Sequence, residues 1–293
     1  MKSTTGQGSS SCSSGARPFL RWAGGKQWLA PALAAAVGRT EGRYIEPFLG
    51  GGALFFQAHP RKAILGDVNE ALVNAYRAVR DHPDLVTRYL RGWGLDAATY
   101  YAVRQSEFKS SARRAAQFIY LNRTCWNGLY RVNGDGHFNV PFGRPSRRDP
   151  LDIRLLLTAS RALQGARIEA ASFEVTMELA KAGDFIYCDP PYTLQHENNG
   201  FIKYNETLFQ WKDQERLARM AGRLADKGCT VVVSNAWHDS LVDMYGGFRA
   251  YRLSRASTLG GRGSTRGRSS EALFSTVELE NLPSVLAKGA SLR

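Results

Sequence analysis

Residues 42–69 read Gly-Arg-Tyr-Ile-Glu-Pro-Phe-Leu-Gly-Gly-Gly-Ala-Leu-Phe-Phe-Gln-Ala-His-Pro-Arg-Lys-Ala-Ile-Leu-Gly-Asp-Val-Asn, and this stretch decides the fold. Arg43 to Glu46 is a short strand, Pro47 to Gly52 a glycine turn, and Ala53 to Phe56 the start of a helix. Glycines between a strand and a helix let a ligand approach the backbone beside the helix N-terminus. Lys62 to Leu65 is a second strand, ending at Gly66-Asp67-Val68-Asn69. An acid closing the second strand of a nucleotide-binding sheet takes ribose hydroxyls. Asp67 follows Gly50 at close to the expected spacing of about 20 residues. Alone, the glycines are an ordinary tight turn; with Asp67 in register they point to a nucleotide.

Outward from this unit, residues 70–121 carry apolar positions at helical spacing, among them Leu72, Val73, Tyr76, Val79, Phe118 and Ile119. Residues 122–144 mix Asn, Gly, Arg and aromatics around the turn Asn133-Gly-Asp-Gly136. Further strands are expected at Arg167–Ala170, Asp184–Cys188, Thr230–Ser234 and Ala272–Leu279, with a helix from Asp213 to Ala225. Such alternation predicts a mostly parallel α/β sheet covered on both faces. The stretch near 73–158 interrupts it and reads as an insertion. The expected division is a tail over 1–16, a sheet domain over 17–72 and 159–293, and an inserted domain over 73–158.

Residues 184–192, Asp-Phe-Ile-Tyr-Cys-Asp-Pro-Pro-Tyr, join an apolar strand to an acid, two prolines and a ring. Asp189 can accept one N–H of a planar amine and the Pro190 carbonyl the other; neither Pro190 nor Pro191 has an N–H to compete. Tyr192 offers a face for stacking a flat base. Held by two acceptors, such an amine loses conjugation with its ring and becomes nucleophilic. Pro-Pro also marks ordinary turns at strand ends.

The net charge of +13 over 293 residues favours a polyanionic partner, nucleic acid first and an anionic membrane surface second. From Arg104 to Arg148 Lys and Arg outnumber the two acids, Glu107 and Asp135, nine to two. Arg252 to Arg268 adds arginines and no acid, and two such segments suit the walls of one groove. No apolar run approaches the roughly 18 residues of a membrane span. Residues 1–16 are rich in Ser, Gly and Thr with no apolar core, so they read as a disordered tail and not a signal peptide. Cys12, Cys125, Cys188 and Cys229 are scattered without metal-ligand spacing, which argues against zinc and suits a reducing cytoplasm.

Six motifs follow one another: Phe19-Leu-Arg-Trp-Ala-Gly-Gly-Lys26, Glu46-Pro-Phe-Leu-Gly-Gly-Gly52, Gly66-Asp-Val-Asn69, Asn122-Arg-Thr-Cys-Trp-Asn-Gly-Leu-Tyr-Arg-Val-Asn133, Phe138-Asn-Val-Pro-Phe-Gly143 and Cys188-Asp-Pro-Pro-Tyr192. In that order they closely resemble the Dam-type, D12 class DNA adenine-N6 methyltransferases, from about Arg17 into the C-terminal strands. The resemblance implies a Rossmann-like class I methyltransferase sheet with an inserted, mainly helical target-recognition domain bearing a β-hairpin. It implies S-adenosylmethionine as cofactor and no metal. Double-stranded DNA with a GATC-like site is the implied partner, in the cytoplasm at the nucleoid. A cognate restriction endonuclease is a further partner if the enzyme serves a restriction-modification system; an orphan or phage role is left open.

By the same resemblance, Trp22 and Lys26 contact the methionine end of the cofactor, Phe48 and Gly50 line its site, Asp67 holds the ribose and Phe173 flanks its adenine. Asp189 touches the methionyl amine side and orients the target amine, with Pro190, Pro191 and Tyr192 completing the catalytic set. Arg131 and Leu129 are the expected readers of guanine and a thymine methyl, with Asn127 beside them and Pro141 nearby. Trp126 falls where the family commonly carries another aromatic that fills the gap left by a flipped base. Arg21 stands where a lysine is more usual, at a position similar to a base contact. Arg144, Arg147 and Arg148 are expected at phosphates or on a solvated basic face. The stretch Thr193–Trp211 differs from the best-known members and is expected to shape the adenine pocket; segment 260–270 reads as a mobile loop.

Cytosine-C5 chemistry needs a cysteine, usually after proline, and a zinc deaminase needs His-x-Glu with Pro-Cys-x-x-Cys; neither occurs here. Cys188 fits a small apolar strand residue. From Asp-Pro-Pro-Tyr alone, RNA or a protein amide remains open as methyl acceptor. A catalytically silent DNA-binding regulator is the reading from another class, opposed by the intact Asp189, Asp67 and Lys26.

Overall fold

The computed structural model describes residues 15–145, 151–192, 209–256, 268–280 and 282. Seven strands form one sheet in the order β3-β2-β1-β4-β5-β7-β6. They are β1 Tyr44–Glu46, β2 Ala63–Asp67, β3 Ala166–Ala170, β4 Phe185–Cys188, β5 Thr230–Ala236, β6 Arg249–Ala256 and β7 Arg268–Ser275. Strands β1 to β5 run parallel, with Tyr44 opposite both Ala63 and Phe185, and Phe185 opposite Thr230. β7 runs antiparallel to both neighbours, pairing Val232 with Ser275 on one side and Arg249 with Ser275 on the other. The expected α/β class I methyltransferase sheet is the observed one.

Strands buried on both faces read as apolar runs, because each alternate residue enters a different core. Tyr44, Leu65, Phe185, Tyr187 and Val232 join one cluster, while Ile45, Ile64, Ile186, Cys188, Val231 and Val233 join the other. The first face is covered by α1 Ala30–Val37, α2 Ala53–Ala58 and α3 Glu70–Asp81. The second carries α8 Phe173–Glu178, α9 Trp211–Asp226 and α10 Asp239–Met244. Between α3 and β3 lie α4 Pro83–Arg91, α5 Ala97–Gln105, α6 Ser111–Thr124 and α7 Ile153–Leu163. Their apolar residues Val86, Tyr100, Ile119 and Leu156 share the first face's core.

Helix starts follow the caps written in the sequence. Asn69, Asp96, Ser110, Asp152 and Ser172 each accept a first-turn backbone N–H, and Gln210 with Asp213 forms a reciprocal capping box. The long helical stretch over 70–121 is four helices, broken where Pro83, Asp96 and Ser110 begin new ones.

One expectation is corrected at the C-terminal side. The last strand is Arg268–Ser275 and not Ala272–Leu279. Its start is set by pairing with β6 out to Ala256–Arg268, and its end by Ser275, whose Oγ bonds both the Val277 carbonyl (2.7 Å) and its N–H (3.2 Å) and curls the chain. β6 itself was not anticipated, although buried Tyr251 and Leu253 flank exposed Arg252 in strand alternation. The β-hairpin expected in the inserted domain consists of two isolated bridges, Val132–Phe138 and Cys125–Phe142, around the turn at 133–137. Among the described residues no helix is long and apolar enough to cross a membrane.

Candidate active site

Ligands of open α/β sheets bind outside the carboxyl ends of the strands where the strand order reverses. Here that point lies between β1, which leads on to β2, and β4 on its other side. The ends of β1, β2, β4 and β5 deliver Phe48 and Gly50, Asp67, Asp189, and Ser234 to it, and the loop before α1 adds Arg21 to Lys26.

Lys26 is 4% exposed, and its Nζ lies 3.0 Å from Asp189 Oδ1 and 3.2 Å from Oδ2. It also donates to the Gly24 carbonyl at 2.8 Å, stands 4.0 Å from Glu271 on β7, and sits 4.7 Å from the Tyr192 ring centroid. Burial pushes the Lys26 ammonium toward its neutral form, but the charges of Asp189 and then Glu271 outweigh that, so its pKa is raised. The lysine therefore holds its charge. Ser234 Oγ donates to Asp189 Oδ1 at 2.5 Å, and Tyr187 OH donates to Ser234 Oγ at 3.4 Å. A hydroxyl on one side and an ammonium on the other fix the carboxylate. Burial, then the Asp189 and Glu271 charges, push the Tyr192 phenol well above its ordinary range, so the ring stays neutral.

The second part of the site surrounds the glycine turn. Asp67 accepts the Gly50 N–H at 3.0 Å and the Asn69 N–H at 2.9 Å. Burial raises its pKa despite these backbone donors. Gly50 has φ +46°, and a Cβ there would meet the Trp22 ring at 2.8 Å, so only glycine fits. Phe48 and Phe173 stack on each other (5.4 Å, 22°) with Phe209 at their edges, which leaves Phe173 only 6% exposed. Val68, beside Asp67, is 72% exposed. An open apolar surface, an acid at a strand end and a fixed ion pair make a donor set that fits a nucleoside joined to an amino acid. Glu46, 2% exposed, accepts from Tyr44 OH at 2.9 Å, and burial with the nearby Asp189 and Asp67 charges pushes its carboxyl well above the usual range.

The expected target-reading residues lie on the turn after α6. Asn127 (φ 54°) and Gly128 (φ 65°) adopt the left-handed region in succession, and Trp126 is 56% exposed. Trp126 N–H donates to the Pro141 carbonyl at 2.9 Å. Buried Asn122 accepts the Arg21 N–H (2.8 Å) and donates to the carbonyls of Arg21 (2.8 Å) and Gly128 (3.3 Å). A Cβ at Gly128 would run into the Arg21 side chain. Trp22 stacks on Tyr130 (5.6 Å, 24°), so the loop carrying Lys26 and the turn carrying Leu129 and Arg131 touch directly. Leu129 is half-buried against the core, whereas Asn127, Arg131, Pro141 and Arg144 are exposed. Arg147, Arg148, the stretch 193–208 and segment 260–267 lie outside the described residues, as does the tail over 1–14.

Sequence reading missed Ser234, Tyr187, Glu271, Glu46 and Asn122. Ser234 and Glu271 had only their places at the end of β5 and within β7 as a signal. Asn122 and Glu46 lay inside quoted motifs without a role. Among the described residues no cluster of three His, Cys, Asp or Glu side chains is placed to hold a metal ion.

A family profile described as D12 class N6 adenine-specific DNA methyltransferase matches residues 22–259. A Type II methyltransferase of Lactococcus lactis subsp. cremoris, M1.LlaDCHI, is 35% identical over 88% of this chain and 94% of its own length. The Type II methyltransferase M.MjaIII of Methanocaldococcus jannaschii is 34% identical over 85% and 95%. The DNA adenine methylase of Escherichia coli strain K12 is 32% identical over 88% and 94%.

Proposed function

The chain belongs to the D12 class of N6 adenine-specific DNA methyltransferases, and from that premise we propose that it methylates a flipped adenine in a short, GATC-like duplex site using S-adenosylmethionine. When bound, that cofactor supplies an electrophilic methyl group to the adenine N6. Trp22, Lys26, Phe48, Gly50, Asp67 and Phe173 hold it, residues 17–72 and 159–293 form the catalytic domain, and residues 73–158 form the target-recognition domain.

Asp189 and the Pro190 carbonyl accept hydrogen bonds from the two N–H groups of the target amine while its ring stacks on Tyr192, and N6 gives up a single proton when it takes the methyl group. Trp126 fills the space the base leaves, and Pro191 fixes the backbone between acceptor and ring. Flipping costs a few kcal/mol, which this stacking offsets. Arg131 reads a guanine, Leu129 meets a thymine methyl with Pro141 nearby, and Asn127, Arg21 and Arg144 complete the DNA contacts. No covalent enzyme intermediate is needed, because positioning and fixed charge lower the barrier. The protein works in the cytoplasm on nucleoid DNA. The Type II names of two relatives favour a cognate restriction endonuclease as partner.

The observation that carries this reading is the Asp189 carboxylate, fixed between Lys26 and Ser234 with the Tyr192 ring alongside. The test is methylation-sensitive sequencing of DNA from a methylation-free bacterial host expressing the chain. N6-methyladenine confined to GATC supports the roles given to Arg131 and Leu129. Another motif keeps the chemistry and discards those base assignments. Unmodified DNA, with protein that binds S-adenosylmethionine, points instead to RNA.

A further inference from the structure

We infer that Asn139 is a specificity-determining positioning residue, which holds the Arg131 guanidinium in the orientation that reads guanine. The inference rests on the assignment of Arg131 as the guanine reader. Arg131 Nε donates to Asn139 Oδ1 at 2.7 Å, and the Asn139 N–H donates back to the Arg131 carbonyl at 3.1 Å. A guanidinium carries five donors in a rigid fork. With Nε occupied, the edge formed by Nη1 and Nη2 is the one left for a base, and it matches the O6 and N7 acceptors of guanine. An arginine on an exposed turn otherwise samples many rotamers, and ordering it on binding costs affinity.

Asn139 can do this because its own strand is anchored. The next carbonyl, Val140, accepts from Tyr100 OH at 2.8 Å and Arg104 Nη1 at 3.3 Å, both on α5. Phe138, on the other side, packs on Tyr130. The order of support runs from buried Tyr100 through Val140 to Asn139, and only then to the exposed arginine. Asn139 itself is half-buried and borders a surface cavity of about 400 Å³ with Arg104, Ser106, Asn133 and His137. Truncating it therefore opens no hole in the core.

The test uses the full chain, Asn139→Ala and Asn139→Asp, and duplexes carrying the motif found by methylation mapping. One duplex has guanine, and the others have 7-deazaguanine, which lacks the N7 acceptor, at each motif guanine in turn. Wild type is expected to lose about tenfold in kcat/KM at the guanine read by Arg131. Asn139→Ala should show that loss already on the normal duplex, through KM, and little more with 7-deazaguanine, while its affinity for unrelated DNA stays unchanged. Asp at 139 still accepts from Nε, so Asn139→Asp should restore the sensitivity to 7-deazaguanine even though its charge weakens overall DNA binding. If Asn139→Ala discriminates as wild type does, the inference is overturned and the reading of Arg131 stands. If wild type is indifferent to 7-deazaguanine at every position, that reading falls and takes the inference with it.

Discussion

The Lys26 ammonium and the Asp189 carboxylate meet at 3.0 Å although 163 residues separate them, and each decides what the other can do. Lys26 is 4% exposed, so it could not stay charged there without the acid. Asp189, for its part, is held in one orientation by Lys26 and Ser234. Lys26→Met is expected to cost about 2–4 kcal/mol of stability, because the part-buried Asp189 carboxylate is left without its countercharge. Thermal melts and calorimetric titration with S-adenosylmethionine check this. A variant that melts like wild type and binds the cofactor equally well would contradict the assigned role.

Glu46 sets a pH dependence with a definite sign. Its folded pKa lies well above the ordinary 4.5, first through burial and then through the charges of Asp189 and Asp67. The stability it contributes is therefore complete below about that value and declines as pH rises, by about 1.4 kcal/mol per unit until the folded carboxyl ionises. Glu46→Gln removes this slope while still accepting from Tyr44 OH. The variant should gain melting temperature relative to wild type between pH 5 and pH 7; parallel curves for the two proteins would refute the protonated state.

Asn122 ties the backbone of Arg21 to that of Gly128. In Asn122→Ala the buried Gly128 carbonyl is left unmet at about 1–3 kcal/mol, and water reaches the part-buried Arg21 N–H and carbonyl at smaller cost, so a total of about 2–4 kcal/mol is expected. Because the two loops carry the residues proposed to hold the cofactor and to read the target, affinity for S-adenosylhomocysteine and discrimination between duplex sites should fall together. A loss confined to one of them would separate the loops.

Trp126 is 56% exposed on a turn with two successive left-handed residues. With 2-aminopurine at the target position, wild type should raise its fluorescence on binding as the base leaves the stack. Trp126→Ala should show a much smaller rise and a single-turnover rate lower by about tenfold, since part of the flipping cost goes unmet. An undiminished signal would move the gap-filling role to another side chain.

Much of the fold was legible because burial on both faces writes itself as short apolar runs; Ala63–Leu65 and Phe185–Cys188 show it. β6 was not, because the arginines between and beyond Tyr251 and Leu253 give the stretch the composition of a basic surface segment and mask its strand alternation. At the site, Asp67, Lys26 and Asp189 sit in local patterns that announce them. Ser234, Tyr187 and Glu271 do not, since their meaning arises only when β4, β5 and β7 lie side by side. The reciprocal bond of Arg131 and Asn139 likewise needs the turn at 133–137 to close before it exists.

The position of β7 has a consequence in time. It is made after β5 and β6, yet it lies between them. While the ribosome is still adding β7, β5 keeps an open hydrogen-bonding edge and β6 has nothing to dock on. Lys26 meanwhile lacks the acid that Glu271 later brings to within 4.0 Å. A partly synthesised chain can thus bring Lys26, Asp189 and Ser234 together while the side of Lys26 that faces Glu271 is still open.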